Sequence, residues 1–386
     1  MTEVISEKRL LELLRNLVRT KSVNPDLVQG GNGEAEIAAY IGGHMESMGL
    51  SVRYQEVAPG RLNAIGVLKG TGGGRSLMLN GHIDTVGIEG MTIDPLDPVL
   101  SGGRLYGRGS FDMKGGVAAM IEAVHAVVDS GTRLKGDVVV ACVCDEEYAS
   151  MGTEAVAREY VTDAAIVTEP TGNRVCVAHK GFAWVKVEVA GKAAHGSLPS
   201  EGVDAIMGAG KFLCEVDRYA RETLSTKKHP LLGSPSVHAS LIEGGTNLST
   251  YPAECVVQME RRTIPGEDRE TVEKEIEGII EAVKAQDPLI QAKAEVFFLR
   301  PPFEVSTSEP VVRAVSEAVE ETLGREPEYM GSHPWLDSAV LAEAGIPTVI
   351  FGPAGEGAHS AVEYVDFPSV VDTARVLFAA IGKISG

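Results

Sequence analysis

Apolar residues recur along the first half of the chain in two alternating patterns. Spacings of three and four residues predict amphipathic helices, and short uninterrupted apolar runs predict buried strands. In chain order, these patterns predict helices over 7–18, 35–48, 113–130 and 152–160, and strands over 62–68, 76–80, 137–144 and 164–168. Strands that alternate with helices favour a mixed, mainly parallel sheet flanked by helices.

From residue 181 onward the order of the predicted elements changes. Strands are predicted over 181–189, 236–243, 254–263 and 292–299, and helices over 203–224 and 269–285. This βαββαβ order is that of a ferredoxin-like domain.

After Pro301 and Pro302 the α/β pattern resumes, with a helix over 310–323, a strand over 348–351 and a final helix near 369–384. We therefore predict a split catalytic, metal-binding domain over residues 1–179 and 297–386. Residues 180–296 form an inserted lid and dimerisation domain in this prediction. Two domains also agree with the length of 386 residues, which exceeds what one hydrophobic core usually covers.

Composition and charge exclude several classes of protein. The longest apolar runs fall well short of the roughly 20 residues that a membrane span needs. The net charge of −19 is spread along the chain without a basic block, which argues against nucleic acid and anionic membranes as partners.

The first 25 residues mix charges with leucines and lack the apolar core of a signal peptide. Cysteine usage is sparse, and Cys142, Cys144, Cys176 and Cys255 lie in apolar runs where cysteine behaves as a small hydrophobe. Both observations predict a cytoplasmic protein.

Candidate metal ligands follow several of the predicted strands. His82, Glu147 and Glu169 end apolar runs, His359 follows the last predicted strand, and Asp112 precedes a helix. Ligands of open α/β sheets bind beyond the carboxyl ends of the strands, so we expect these side chains to meet. Imidazole and carboxylate donors suit Zn²⁺, and Co²⁺ or Mn²⁺ accept similar donors. The set allows two divalent ions that share one carboxylate, which predicts a metallohydrolase using a hydroxide nucleophile.

Two further acidic residues lie beside these candidates. Glu146 precedes Glu147, and because adjacent side chains at a strand end point to different sides, we interpret Glu146 as a general base. Asp84, two residues after His82, can reach the far nitrogen of that imidazole and orient it. The alternatives are a solvated acidic pair and a helix-capping aspartate.

Seven ordered motifs carry a family resemblance: GHIDTV, GRGSFDMKGG, CDEE, VTEPTG, GKAAHGSLPSEGVDAI, ERRTIPG and GAHSAVEYV. The chain resembles the M20 metallopeptidases, in particular the branch of acetylornithine deacetylase and succinyl-diaminopimelate desuccinylase. The resemblance implies two zinc ions bridged by Asp112, with His82 and Glu169 on one ion and Glu147 and His359 on the other. It also implies a cis peptide between Asp112 and Met113.

The same resemblance assigns roles in the inserted domain. It implies that His195 stabilises the oxyanion across the interface of a homodimer formed through the lid domain, and that Asn247 and Arg262 hold the substrate. Arg261 is adjacent to Arg262 and is the alternative arginine for this role. His333 and Trp335 either shape the substrate pocket or, for Trp335, pack in a core.

The expected activity is hydrolysis of the amide bond of an N-acyl amino acid, as in a deacetylase or desuccinylase. A dipeptidase or carboxypeptidase of the same family is the first alternative, and an inactive relative that only binds ligands is the second. A dinucleotide-dependent oxidoreductase is disfavoured, because GRGSFDMKGG lacks the third glycine of the dinucleotide-binding fingerprint.

Overall fold

A computed structural model describes residues 4–386, which divide into two compact units. The split unit comprises residues 4–177, 305–330 and 336–386, and the inserted unit comprises 178–304 and 331–335. The inserted unit thus reaches beyond residue 296, where we placed its end. The last strand of this unit continues to Arg300, because it pairs along its full length with the strand Gly181–Ala190.

The split unit is built around a mixed sheet flanked by helices, as predicted. Its strands lie in the spatial order Ser51–Ala58, Arg61–Leu68, Val138–Val143, Leu77–His82, Ala164–Val167, Thr348–Ile350 and Val175–His179. The strand Leu77–His82 is parallel to both of its neighbours, and Thr348–Ile350 is parallel to Ala164–Val167. Parallel pairing brings the carboxyl ends of these central strands to one edge of the sheet.

Helices with apolar faces pack against this sheet, and the buried side chains of all except Met151–Glu159 and Ser338–Glu343 join it in one core. They span Glu7–Arg19, Ala35–Ser47, Gly115–Ser130, Met151–Glu159, Pro310–Leu323, Ser338–Glu343 and Phe367–Ser385. The first begins where the Ser6 side chain accepts a hydrogen bond from the Arg9 amide, which is a typical N-cap.

Sequence patterns missed the shortest or most exposed elements of the split unit. The strand Ser51–Ala58 is exposed along most of its length and therefore has no apolar run. A small second sheet, which only tertiary pairing defines, consists of Val99–Ser101, Arg104–Tyr106, Tyr364–Asp366 and Gly355–Glu356.

The helix that we predicted from residue 113 begins instead at Gly115. Asp112 and Met113 have non-helical backbone angles within the turn Ser110–Lys114. The peptide between them is cis, as the family resemblance implied.

The inserted unit has the predicted ferredoxin-like order. Its antiparallel sheet runs Ser236–Gly244, Glu254–Thr263, Gly181–Ala190 and Gln291–Arg300, with helices Ala205–Glu222 and Arg269–Gln286. Alternate residues of the two central strands pack against the helices in a separate core. Across residues 4–386, the structure contains no helix with the length and apolar character that a membrane span requires.

Gly116 allows the helix Gly115–Ser130 to approach the end of a central strand. A methyl group at Gly116 would lie 1.9 Å from the carbonyl oxygen of Thr168. We expect Gly116→Ala to destabilise the protein by about 2 kcal/mol, because backbone atoms must move to admit the methyl group. Thermal unfolding would measure the change.

Gly43→Ala is the matched control, since Gly43 also lies within a helix and a methyl group there meets nothing within 4 Å. This change should stabilise the protein by about 0.5–1 kcal/mol through helix propensity. Equal unfolding midpoints for the two variants would contradict the packing argument.

Candidate metal centre

The split unit brings the predicted metal ligands together at the carboxyl ends of its strands. His82 is the last residue of Leu77–His82, Glu147 follows Val138–Val143, and Glu169 follows Ala164–Val167. Asp112 lies in the turn before a helix, and His359 lies in the loop between Gly355–Glu356 and Tyr364–Asp366.

Asp112 belongs to two groups of potential ligand atoms. His82, Asp112 and Glu169 form one group, and Asp112, Glu147 and His359 form the other, with the atoms of each group within 4.8 Å of one another. The two carboxylate oxygens of Asp112 face different imidazoles, because Oδ1 lies 3.2 Å from His82 Nε2 and Oδ2 lies 3.4 Å from His359 Nε2. One carboxylate between two imidazoles is the arrangement that a bridging ligand requires.

The remaining distances complete the two groups. His359 Nε2 lies 2.9 Å from Glu147 Oε2, and His82 Nε2 lies 3.5 Å from Glu169 Oε1. Each group therefore offers one imidazole nitrogen and two carboxylate oxygens, which is a donor set that fits Zn²⁺ and similar divalent ions.

Burial and crowding shift the pKa values of these groups strongly. Burial raises the pKa of Glu146, Glu147 and Glu169, and their negative neighbours raise it further. Burial also acts to raise the pKa of Asp112, but hydrogen bonds with His359 and His82 outweigh it and lower the pKa. Hydrogen bonds with Asp112 and Glu147 raise the pKa of His359 to about 10. So many acidic groups in one place favour either protonation or the binding of cations, and such strongly shifted pKa values are typical of functional sites.

Glu146 lies beside the two groups without belonging to either. Its side chain is about 10% exposed, and Oε2 lies 3.9 Å from His82 Nε2. A buried carboxyl group with a raised pKa next to potential metal ligands has the properties of a proton acceptor.

Asp84 contacts His82 differently from our expectation. The ring nitrogen Nδ1 of His82 lies 3.0 Å from the backbone carbonyl oxygen of Asp84 and 3.6 Å from its carboxylate. The carboxylate instead accepts hydrogen bonds from the backbone amides of Glu146 and Glu147, at 3.2 and 3.3 Å. Asp84 thus supports His82 through its backbone and the two glutamates through its side chain.

Glu363 supports the turn that carries Asp112, and we did not single it out from the sequence. It is buried and accepts hydrogen bonds from Arg108 Nη1 at 2.7 Å and from the amides of Gly109, Phe111 and Asp112 at 3.0–3.1 Å. The only signal in the sequence was its place in GAHSAVEYV, four residues after His359.

Two predicted substrate residues lie in adjoining loops of the inserted unit. His195 is exposed, and its Nδ1 accepts a hydrogen bond from the Ser197 amide at 3.2 Å. Asn247 is also exposed and accepts a hydrogen bond from the Ser249 amide at 3.0 Å. The two loops are joined because the Gly196 amide donates to the Ser249 carbonyl at 2.7 Å.

Arg262 and Arg261 occupy opposite faces of the strand Glu254–Thr263. Arg261 is 1% exposed and pairs with Glu267 and Glu275 at 2.9 Å, which makes it part of the interior of the inserted unit. Arg262 is partly exposed, pairs with Glu260 at 2.6 Å and lies over the Phe182 ring. Arg262 is therefore the more accessible of the two arginines.

Trp335 packs within the inserted unit. It is 9% exposed, its indole N–H donates to the Pro301 carbonyl at 3.1 Å, and Arg300 lies over its ring. These contacts favour a packing role for Trp335, whereas His333 is exposed.

Residues 78–383 match the sequence profile of peptidase family M20/M25/M40. The chain belongs to this family. The match covers most of the chain, including the potential ligands.

Similar proteins include both deacylases and peptidases. An acetylornithine deacetylase of Myxococcus xanthus is 31% identical over 90% of this chain and 91% of its own length. A Bacillus subtilis N-formyl-4-amino-5-aminomethyl-2-methylpyrimidine deformylase is 27% identical over 96% of this chain and 93% of its own. The crystal structure of the aminopeptidase PepT of Bacillus cereus has a TM-score of 0.80 over 99% of both chains at 21% identity, which shows a shared fold.

Glu363→Gln tests the support of the Asp112 turn. Each carboxylate oxygen of Glu363 accepts hydrogen bonds from two donors. An amide NH₂ group in place of either oxygen would face these donors without accepting from them, and buried Arg108 would lose its ion pair. We expect a loss of about 3 kcal/mol in the free energy of unfolding, measured by denaturant titration.

Glu321→Gln provides the comparison, because Glu321 pairs with Lys383 at the surface at 2.7 Å. Its loss should be below about 1 kcal/mol. Similar losses in both variants would show that the Glu363 contacts do not hold this turn.

Proposed function

We propose that this protein hydrolyses the amide bond of an N-acyl amino acid at a centre of two divalent metal ions. Membership of the M20 family makes it a metal-dependent hydrolase of acylated amino acids or peptides. The observation that carries the finer proposal is Asp112 between two imidazoles, with Glu146 beside it. Relatives at 27% and 31% identity named as a deformylase and a deacetylase support deacylation over peptide cleavage.

In this proposal, His82 and Glu169 would hold one ion, Glu147 and His359 would hold the other, and Asp112 would be shared between them. Zn²⁺ is the ion that these donors suit best, and Co²⁺ and Mn²⁺ are acceptable substitutes. When bound, such ions polarise the substrate carbonyl and lower the pKa of water.

Glu146 acts as the general base. Its carboxylate accepts a proton from the attacking water as the oxygen forms a bond to the acyl carbon. The same proton then passes to the leaving nitrogen as the carbon–nitrogen bond breaks. The burial that raises the pKa of Glu146 suits it to hold this proton between the two steps.

Three side chains of the inserted unit are suited to binding the substrate in this proposal. His195 Nδ1 accepts from the Ser197 amide, so a neutral ring carries its proton on Nε2, where it can donate to a developing oxyanion. Arg262 offers a guanidinium group suited to a substrate carboxylate, and Asn247 offers a side-chain amide.

The test is hydrolysis by the purified protein loaded with Zn²⁺ or Co²⁺. We expect release of amine from at least one of N-acetyl-ornithine, N-succinyl-diaminopimelate, N-acetyl-methionine and their N-formyl counterparts, and loss of this activity in chelator. Cleavage of dipeptides alone would reject the deacylase proposal in favour of a family peptidase. Silence on every substrate by a metal-loaded protein would reject the proposed substrate class.

Glu146→Ala is the control for the chemistry. Removing the carboxyl group should leave metal content unchanged, because Glu146 belongs to neither ligand group. Turnover should fall by at least about 10²-fold, the usual contribution of a general base. Turnover near that of the wild type would refute the assignment of the base.

We also propose that the protein is a homodimer that forms through the inserted unit. The strand Ser236–Gly244 lies at the edge of its sheet, and Leu241 and Ile242 on it are 60% and 55% exposed. An exposed edge with apolar side chains is suited to pairing with a second copy.

Sedimentation velocity provides the test of assembly. The wild type should sediment as a dimer, and Leu241→Asp with Ile242→Asp should shift the protein toward monomer by placing charge in the contact. The matched control is Leu289→Asp, which changes another exposed leucine, 67% exposed, outside this strand. A wild type that sediments as a monomer would exclude the dimer.

A further inference from the structure

The backbone of Glu146 and Glu147 is held by one buried carboxylate and directly follows another buried aspartate. The Asp84 carboxylate accepts both of their amides. Asp145 directly precedes Glu146, and its left-handed backbone conformation (φ 70°) directs the chain into the turn that carries the pair. The position of the proposed base and of one proposed ligand therefore depends on where Asp84 and Asp145 are fixed.

The side chain of Arg61 anchors the carboxylate of Asp145 through a hydrogen bond. Arg61 Nη2 donates to Asp145 Oδ1 at 2.9 Å, and the same guanidinium group binds Glu34 through two hydrogen bonds of 2.7 and 2.8 Å. Arg61 and Glu34 are both buried, and both precede the central strand Leu77–His82 in the sequence.

Asn24 joins the two carboxylates to each other. Its Nδ2 donates to Asp84 Oδ2 at 2.8 Å and to Asp145 Oδ1 at 3.1 Å, although these residues lie 60 and 121 positions away in sequence. Its Oδ1 accepts from the Asp26 amide at 3.0 Å, which fixes the amide so that both of its N–H groups face the carboxylates. All three side chains are fully buried.

A side-chain amide suits this position for a physical reason. Two buried carboxylates close together repel each other, and each needs a hydrogen-bond donor. One NH₂ group supplies a donor to each of them without bulk or charge. Backbone bonds also fix Asn24, because its amide donates to the Thr85 carbonyl at 2.9 Å, and Thr85 directly follows Asp84.

We infer that Asn24 is a positioning residue that sets the separation of Asp84 and Asp145 and thereby places Glu146 and Glu147 in the metal centre. This inference rests on the proposed function for the roles of the two glutamates. The geometry of the network itself is independent of any substrate.

Asn24→Ala tests this inference through the binding of Co²⁺, followed by isothermal calorimetry in the absence of substrate. Affinity should fall by about 10- to 100-fold, as expected when a partner that orients metal ligands is lost. Asn24→Ser, which keeps one hydroxyl donor, should lie between wild type and Asn24→Ala, and it replaces the alanine variant if that variant does not fold.

Asn173→Ala is the matched control. Asn173 is another buried asparagine of the split unit, and its Nδ2 also donates two hydrogen bonds, to the Ser369 carbonyl and Thr373 Oγ1. This variant should lose stability and keep the Co²⁺ affinity of the wild type. Asn24 variants that lose stability but bind Co²⁺ as the wild type does would overturn the positioning role.

Activity gives a second readout once a substrate is known. Displacement of Glu146 in the Asn24 variants should lower kcat and leave KM within about twofold, because Glu146 acts in the proton-transfer step. A change confined to KM would contradict the inference. A wild type that binds Co²⁺ but hydrolyses no amide would reject the proposed function alone, since the binding comparison of the Asn24 variants remains valid.

Discussion

Repulsion between buried carboxylates is the constraint on which this site depends. Glu146, Glu147, Glu169 and Asp112 converge within a few ångströms, and burial with mutual repulsion raises the pKa of the three glutamates. Protonation or bound cations can relieve this repulsion, and the backbone must hold each group in place. A pair of divalent ions would balance the negative charge, with both imidazoles neutral as their ligands.

The fold meets this constraint by fixing the ligands through their own backbone. Asp84 accepts the amides of Glu146 and Glu147, and Glu363 accepts the amide of Asp112 and those of its neighbours. Both supporting side chains are carboxylates, like the acidic side chains that they support. Backbone N–H groups between them donate to the supporting carboxylates. Arg108 then donates to Glu363, and Asn24 donates to Asp84, so that each supporting carboxylate has a further hydrogen-bond donor.

The inserted unit contributes a different kind of group. His195 and Asn247 lie in exposed loops that bond to each other, and Arg262 lies on the sheet face opposite the helices. These residues are suited to meet a ligand that arrives from solvent, whereas the potential metal ligands, apart from exposed His359, are buried or half-buried. Arg261 precedes Arg262 on the same strand, but its side chain is buried inside the inserted unit. The two differ because successive side chains of a strand point to opposite faces of the sheet.

The sequence by itself determined the parts of this protein that follow from local periodicity and from ordered motifs. Helices such as Pro310–Leu323, the buried central strands, the ferredoxin-like order and the strand-end positions of His82, Glu147 and Glu169 were all predictable, because apolar spacing reports local burial. Tertiary structure alone decided the exposed strand Ser51–Ala58, the partner of His82 Nδ1, and the roles of Glu363 and Asn24 as supports. The roles of Glu363 and Asn24 depend on contacts across 60 to 255 residues, and an isolated polar residue gives no sign in sequence of which distant group it will bind.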